Sequence, residues 1–97
     1  MEFDQLGFFL AVVEEGSFSR AAERVGRTQP ALSLALKRLE EDLGERLLDR
    51  TPRKVVPTEA GRLFQNYAHR LLFLRDEART SISELRGLTR GRLRIGA

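Results

Sequence analysis

Residues 17–61, SFSRAAERVGRTQPALSLALKRLEEDLGERLLDRTPRKVVPTEAG, decide the fold. Ser17 suits the N-cap of a helix, and Phe18, Ala21, Ala22 and Val25 follow at helical spacing, the paired alanines allowing a second helix to approach closely. Gly26-Arg27-Thr28 makes a turn. Thr28 is the next N-cap, Pro30 falls in a first turn where its missing N–H costs nothing, and a third helix runs to about Leu43. Leu32, Leu36, Leu39 and Leu43 form its buried stripe. Gln29, Ser33 and Lys37 lie four apart on another face, with Pro30, Leu34 and Arg38 alongside. Gly44 stops this helix. Leu47 to Arg50 and Lys54 to Val56 are short β-leaning runs around Thr51-Pro52-Arg53, with the proline set for a turn. Thr58 caps a last helix, and Glu59 sits in its favourable first turn.

Upstream, Phe3, Leu6, Phe9, Leu10 and Val13 recur every three or four residues, the core stripe of an amphipathic helix over 3–15 that ends at Gly16. Phe8 and Val12 fall outside that stripe and predict a second buried face, against another subunit for example. Downstream, the last helix is expected to run from 59 to about 86, before Gly87, which is long for a small domain and hints at a coiled coil. Phe64, Tyr67, Leu71, Leu74, Ala78, Ser81, Leu85 and Leu88 alternate three and four apart as a heptad seam, with Leu63, Ala68 and Leu72 off the seam and free to pack on the domain. A helix with two apolar stripes leaves one in water unless it pairs, so a dimer through this helix is expected, parallel or antiparallel. The competing expectation is one helix folded wholly onto its own domain. Beyond Gly87, Arg92-Leu93-Arg94-Ile95 has strand period and breaks off as a strand begins, which suggests a chain cut from something longer.

The expected fold is therefore mainly α: a winged helix-turn-helix of three helices and a short β-hairpin wing over 1–58, a linker and dimerisation helix over 59–87, and a hinge with the start of a further, truncated domain over 88–97. The 97 residues suit one small domain with an appendage. Cysteine is absent, so disulfides and thiolate metal sites are excluded. No apolar run approaches the roughly 20 residues of a membrane span, and no membrane partner is expected. The net charge of +3 is carried almost wholly by arginine, since only Lys37 and Lys54 are lysines. Glu40, Glu41, Asp42 and Glu45 precede Arg50, Arg53 and Lys54; segregated sign implies one face that meets an anion and one that does not.

Taken together, these residues resemble the N-terminal DNA-binding segment of LysR-type transcriptional regulators. The resemblance rests on Phe9, Gly16-Ser17-Phe18, Ala21-Ala22, Thr28-Gln29-Pro30-Ala31-Leu32-Ser33, Leu39-Glu40, Leu43-Gly44, Leu47, Arg50 and Thr58-Glu59-Ala60-Gly61, and it covers essentially the whole chain. Gly91-Arg92-Leu93-Arg94-Ile95-Gly96 is similar to the opening strand of that family's effector domain. The resemblance implies sequence-specific binding of double-stranded DNA at promoter inverted repeats, a homodimer through the linker helix, tetramers in full-length members, and a cytoplasmic, nucleoid-associated protein. A small-molecule inducer would be met only by the effector domain, which is missing. Two positions depart from the family pattern. Leu34 stands where a basic residue is usual, offering apolar contact to a thymine methyl instead. Arg27 stands where a small apolar residue is usual, and an arginine there is expected to point outward to phosphates.

In this reading the third helix enters the major groove. Gln29 reads adenine through its amide, Ser33 serves base or phosphate, and Thr28 caps the helix and favours a phosphate. Pro30, Ala31 and Leu34 offer apolar contact. Lys37 and Arg38 hold phosphates or pair with Glu41 and Asp42. Arg53 at the hairpin tip suits the minor groove, Lys54 the backbone, and Arg50 either a phosphate or an ion pair with Asp49 or the acidic group. An enzyme is disfavoured: His69 is the only histidine, no glycine-rich phosphate loop or metal-ligand cluster stands in the sequence, and no cofactor is expected. The remaining alternative is a coiled-coil dimeric protein-interaction module that never touches DNA.

Overall fold

A computed structural model describes residues 1–51 and 53–96, with side chains through Leu88. The order is α1 (Phe3–Glu15), α2 (Phe18–Val25), α3 (Gln29–Leu43), β1 (Leu48–Arg50), β2 (Val55–Pro57) and α4 (Glu59–Gly96). This is a winged helix-turn-helix with a long C-terminal helix. Local chemistry sets the boundaries. Gly16, Gly26 and Gly44 take positive φ and end α1, α2 and α3. Ser17 Oγ accepts from Arg20 N at 3.3 Å, Thr28 Oγ1 from Ala31 N at 3.3 Å and Thr58 Oγ1 from Gly61 N at 3.0 Å, so each expected cap opens its helix. Strands β1 and β2 pair antiparallel with Asp49 opposite Val56. The proline turn expected at Pro52 lies outside the described residues.

Helix α1 is the centre of the body, touching α2, α3, α4 and β2. That placement corrects the expected stripe. A helix packed on several sides buries a wide arc, so Ala11 and Val12 join Leu6, Phe9 and Leu10 in the core. Phe3, at the helix start, is instead 47% exposed, with the Arg75 guanidinium of α4 5.4 Å from its ring centroid. Leu32, Leu36 and Leu39 fill the α3 side of the core, but Leu43 is 39% exposed in the last turn.

Helix α4 differs most from expectation. It presents Gly61, Phe64, Ala68, Leu71 and Leu72 to the body. Phe64 and Leu71, expected in the intersubunit seam, thus pack on their own domain, and Phe64 meets Phe9 edge-on at 5.5 Å. Leu63, expected to pack inward, faces water beside Glu59 and Ala60. The helix also passes through Gly87 to Gly96 instead of ending near 86, and the backbone of Arg92-Leu93-Arg94-Ile95 is helical, not extended. A glycine ends a helix by taking a left-handed backbone, and Gly87 has no positive φ; a glycine inside a helix costs only about 1 kcal/mol.

Gly61 is needed for close approach. A Cβ there would lie 2.0 Å from the Leu47 carbonyl oxygen, which itself accepts from Thr58 N at 3.0 Å. The strand entering the hairpin and the first turn of α4 are therefore in backbone contact, and this junction sets the wing's position.

Candidate nucleic-acid interface

The free face of α3 carries the expected reading residues. Behind the Thr28 cap, Gln29, Pro30 and Ala31 are exposed, as are Leu34, Lys37 and Arg38 further along; Ser33 is half-buried. The inner face of the same helix holds Leu32, Leu36 and Leu39 in the core. One amphipathic helix therefore fixes its own orientation: burial of the leucines turns the polar side outward.

The wing is tied to this face by Arg50. Its Nη2 donates to Ser33 Oγ at 3.3 Å, and its guanidinium lies 4.2 Å from the ring centroid of Phe18 in α2. One side chain thus spans the end of β1, the start of α2 and the middle of α3. Asp49, its expected ionic partner, lies instead 3.6 Å from Arg46. On the other strand, Val55 N donates to the Gly16 carbonyl at 3.2 Å, anchoring β2 at the α1–α2 junction. The turn is closed by Thr51, whose N and Oγ1 both donate to the Lys54 carbonyl at 2.9 and 2.8 Å. Arg53 and Lys54 are exposed at this end of the hairpin. Arg50 thus joins the hairpin to the face that carries Ser33, and Arg53 and Lys54 are exposed further along that hairpin.

Two other cations near this face, Arg24 and Arg27, rest on the protein itself. Arg24 bonds Glu14 at 2.7 Å and lies 3.5 Å from Glu15, and the Glu14 carboxylate raises its already high pKa. Arg27, expected to reach for phosphates, rests over the Phe8 ring at 5.6 Å; the planar guanidinium gains an aromatic face on α1 while staying in water. Asp42, a candidate partner of Arg38, bonds the Met1 ammonium, whose pKa is raised by that hydrogen bond. Of the expected dimerisation residues, Tyr67, Leu74, Ala78 and Leu85 are exposed on α4, while Phe64 and Leu71 are turned to the core.

Three contributors were not singled out from the sequence. Ser19 donates to Gln29 Oε1 at 3.1 Å. Phe18, read only as a core residue, offers its ring to Arg50. Glu40, placed by the sequence only in an acidic group, accepts from Leu47 N at 2.7 Å and Leu48 N at 3.3 Å, holding the chain as it enters β1. Its position next to buried Leu39 and seven residues before Leu47 was the available signal. Among the described residues, no group of three or more His, Cys, Asp or Glu side chains is placed to hold a metal ion, and no helix is long and apolar enough to cross a membrane.

Comparison with known proteins agrees with this geometry. Residues 3–62 match the family of bacterial regulatory helix-turn-helix proteins, lysR family. A Pseudomonas SDS degradation transcriptional activation protein is 50% identical over 93 residues, covering 96% of this chain and 30% of that protein. The HTH-type transcriptional regulator PgrR of Escherichia coli is 46% identical over 94 residues, covering 97% of this chain and 31% of that protein. The chain thus spans about a third of the length of these relatives. Among solved structures, the BenM DNA-binding domain in complex with catB site 1 DNA superimposes with a TM-score of 0.83 at 41% identity, over 88% of this chain and 96% of that one. DarR of Vibrio fischeri in complex with DNA superimposes with a TM-score of 0.87 at 34% identity, over 91% of this chain and 30% of that one. These matches favour a helix-turn-helix regulator over the interaction module considered above, and with 60 contiguous residues fitting the family model (3–62), the chain belongs to the LysR family of bacterial regulatory helix-turn-helix proteins.

Proposed function

We propose that this chain is the double-stranded DNA-binding module of a transcriptional regulator, with α3 lying in the major groove and the hairpin following the backbone into the adjacent minor groove. The observation that carries the reading is the Arg50 tie. By bonding Ser33 and stacking on Phe18 it holds the wing on the same side as the exposed face of α3, the geometry that a straddled duplex requires. Gln29 and Ser33 then face base edges, with Pro30, Ala31 and Leu34 in apolar contact beside them. Arg53 meets the minor groove, and Thr28, Lys37, Arg38 and Lys54 meet phosphates. Arg50 serves the interface mainly as a clamp. The DNA-bound relatives BenM and DarR support the assignment.

In the longer protein, two copies pair through the outward side of α4 and place two recognition helices on an inverted repeat. Exposed Tyr67, Leu74 and Ile82 support that pairing. An effector domain that senses a small molecule, a tetrameric assembly and a cytoplasmic, nucleoid-associated location complete the reading. The chemistry is binding, with no catalytic step.

Titration of the chain with random and selected duplexes at rising salt tests the proposal. Binding should weaken steeply, the slope of log K against log salt changing by about 0.9 for each phosphate contact. Arg53→Ala should lower affinity on all sequences, whereas Gln29→Ala should cost about 1–3 kcal/mol at one base pair and relax preference there. Absence of binding at low salt would reject the reading.

A further inference from the structure

We propose that Ser19 is a specificity-determining residue that fixes which end of the Gln29 amide faces the base pair, so that the chain disfavours cytosine at the base Gln29 meets. The inference rests on the reading of α3 as the recognition helix.

A glutamine amide offers a donor at Nε2 and an acceptor at Oε1, and an unheld amide rotates to suit either base chemistry. Here it is held. Ser19 Oγ donates to Gln29 Oε1 at 3.1 Å, across the gap between the first turn of α2 and the first turn of α3. Both side chains are exposed, so the contact fills no core position. A serine hydroxyl by itself would tolerate either end of the amide, but the surroundings choose. The N–H groups of Phe18 and Ser19 in α2 and of Gln29 in α3, which the Ser17 and Thr28 caps leave over, make this point positive, which favours an oxygen turned in and an NH2 turned out. The outward donor suits N7 of either purine, O6 of guanine and O4 of thymine. Cytosine alone presents only its N4 amino donor in the major groove, so it meets the outward NH2 with like polarity.

Selection from a pool of random duplexes, followed by sequencing of the bound fraction, tests this with the present chain and four variants. Gln29→Ala identifies the base position that Gln29 reads. At that position Ser19→Ala should raise the tolerance for cytosine roughly two- to tenfold, the worth of one side-chain hydrogen bond, with preferences elsewhere and affinity for random duplex unchanged. Ser19→Thr keeps the hydroxyl and should behave as the parent chain. Ser19→Asp can only accept; it should draw the NH2 inward, turn Oε1 outward and raise cytosine tolerance further, although its charge lowers affinity on every sequence. A Ser19→Ala profile that superimposes on the parent, while Gln29→Ala flattens one position, overturns the proposal and leaves the recognition helix standing. If Gln29→Ala flattens no position, Gln29 is not a base reader, and the proposal falls with that part of the reading.

Discussion

The body of the molecule and the far part of α4 use apolar residues in opposite ways. In the body, Leu6, Phe9, Val12, Leu32, Leu36 and Leu39 are sealed by α1, α2, α3 and the first turns of α4. Arg75 still meets Phe3 of the body, but the apolar side chains of α4 from Phe73 to Leu88 turn to water: Phe73 and Leu74 are 68% and 58% exposed, with Ile82 and Leu88 similarly bare. At about 1.5 Å per residue its 38 residues reach roughly 57 Å, most of the 66 Å long axis of the chain. The first region holds itself together. The second exposes apolar residues of the kind a core buries, the stripe through which pairing is proposed.

The strongest test of that contrast is in the body. Phe9 is fully buried and meets Phe64 edge-on, so Phe9→Ala removes both a large transfer term and an aromatic contact. A loss of about 3–5 kcal/mol is expected, read as a lower urea midpoint at unchanged slope. A loss under about 1 kcal/mol would mean that the body repacks easily and does not differ from the projecting helix in the way described. Next in size is the joint between the two regions. Gly61→Ala puts a methyl group 2.0 Å from a backbone oxygen that cannot swing aside. The expected cost is about 1–3 kcal/mol, and amide chemical shifts around Leu47, Thr58 and the hairpin should move together. Shifts confined to α4 would show that the joint does not position the wing.

Much of this was legible in the chain, for identifiable reasons. Caps and stops are local: Ser17, Thr28 and Thr58 bond backbone groups three residues away, and Gly16, Gly26 and Gly44 close their helices where the pattern breaks. The polar face of α3 follows from its leucine period. Errors arose where the answer depends on what lies across from a residue. Phe64 and Leu71 satisfy a heptad, but the same spacing serves a stripe facing α1, and only the position of α1 decides. Leu43 keeps the period of Leu36 and Leu39 yet falls past the end of the core. Gly87 carries the same residue type as Gly44 but lacks its backbone conformation. The tie of Arg50 to Ser33 joins residues 17 apart, and that of Ser19 to Gln29 joins residues 10 apart; neither has a periodic signature.

The smallest expected effect on folding lies in the projecting helix. Leu74→Asn alters a side chain more than half in water, so unfolding of the isolated body should change by less than about 0.5 kcal/mol. Self-association should respond instead. The parent chain is expected to show a midpoint that rises with protein concentration and a sedimentation profile moving toward dimer, because a partner that binds only the folded form stabilises it by mass action. Leu74→Asn should shift that profile toward monomer with little loss of helix. The two measurements separate the possibilities: a large loss of body stability would place Leu74 in its own domain's packing, and a parent chain monomeric at every concentration would leave the exposed side of α4 without a second copy to cover it. Loss of association with an unchanged body would show that folding and pairing are carried by different turns of one helix, divided near Arg75, whose guanidinium over Phe3 still reaches the body.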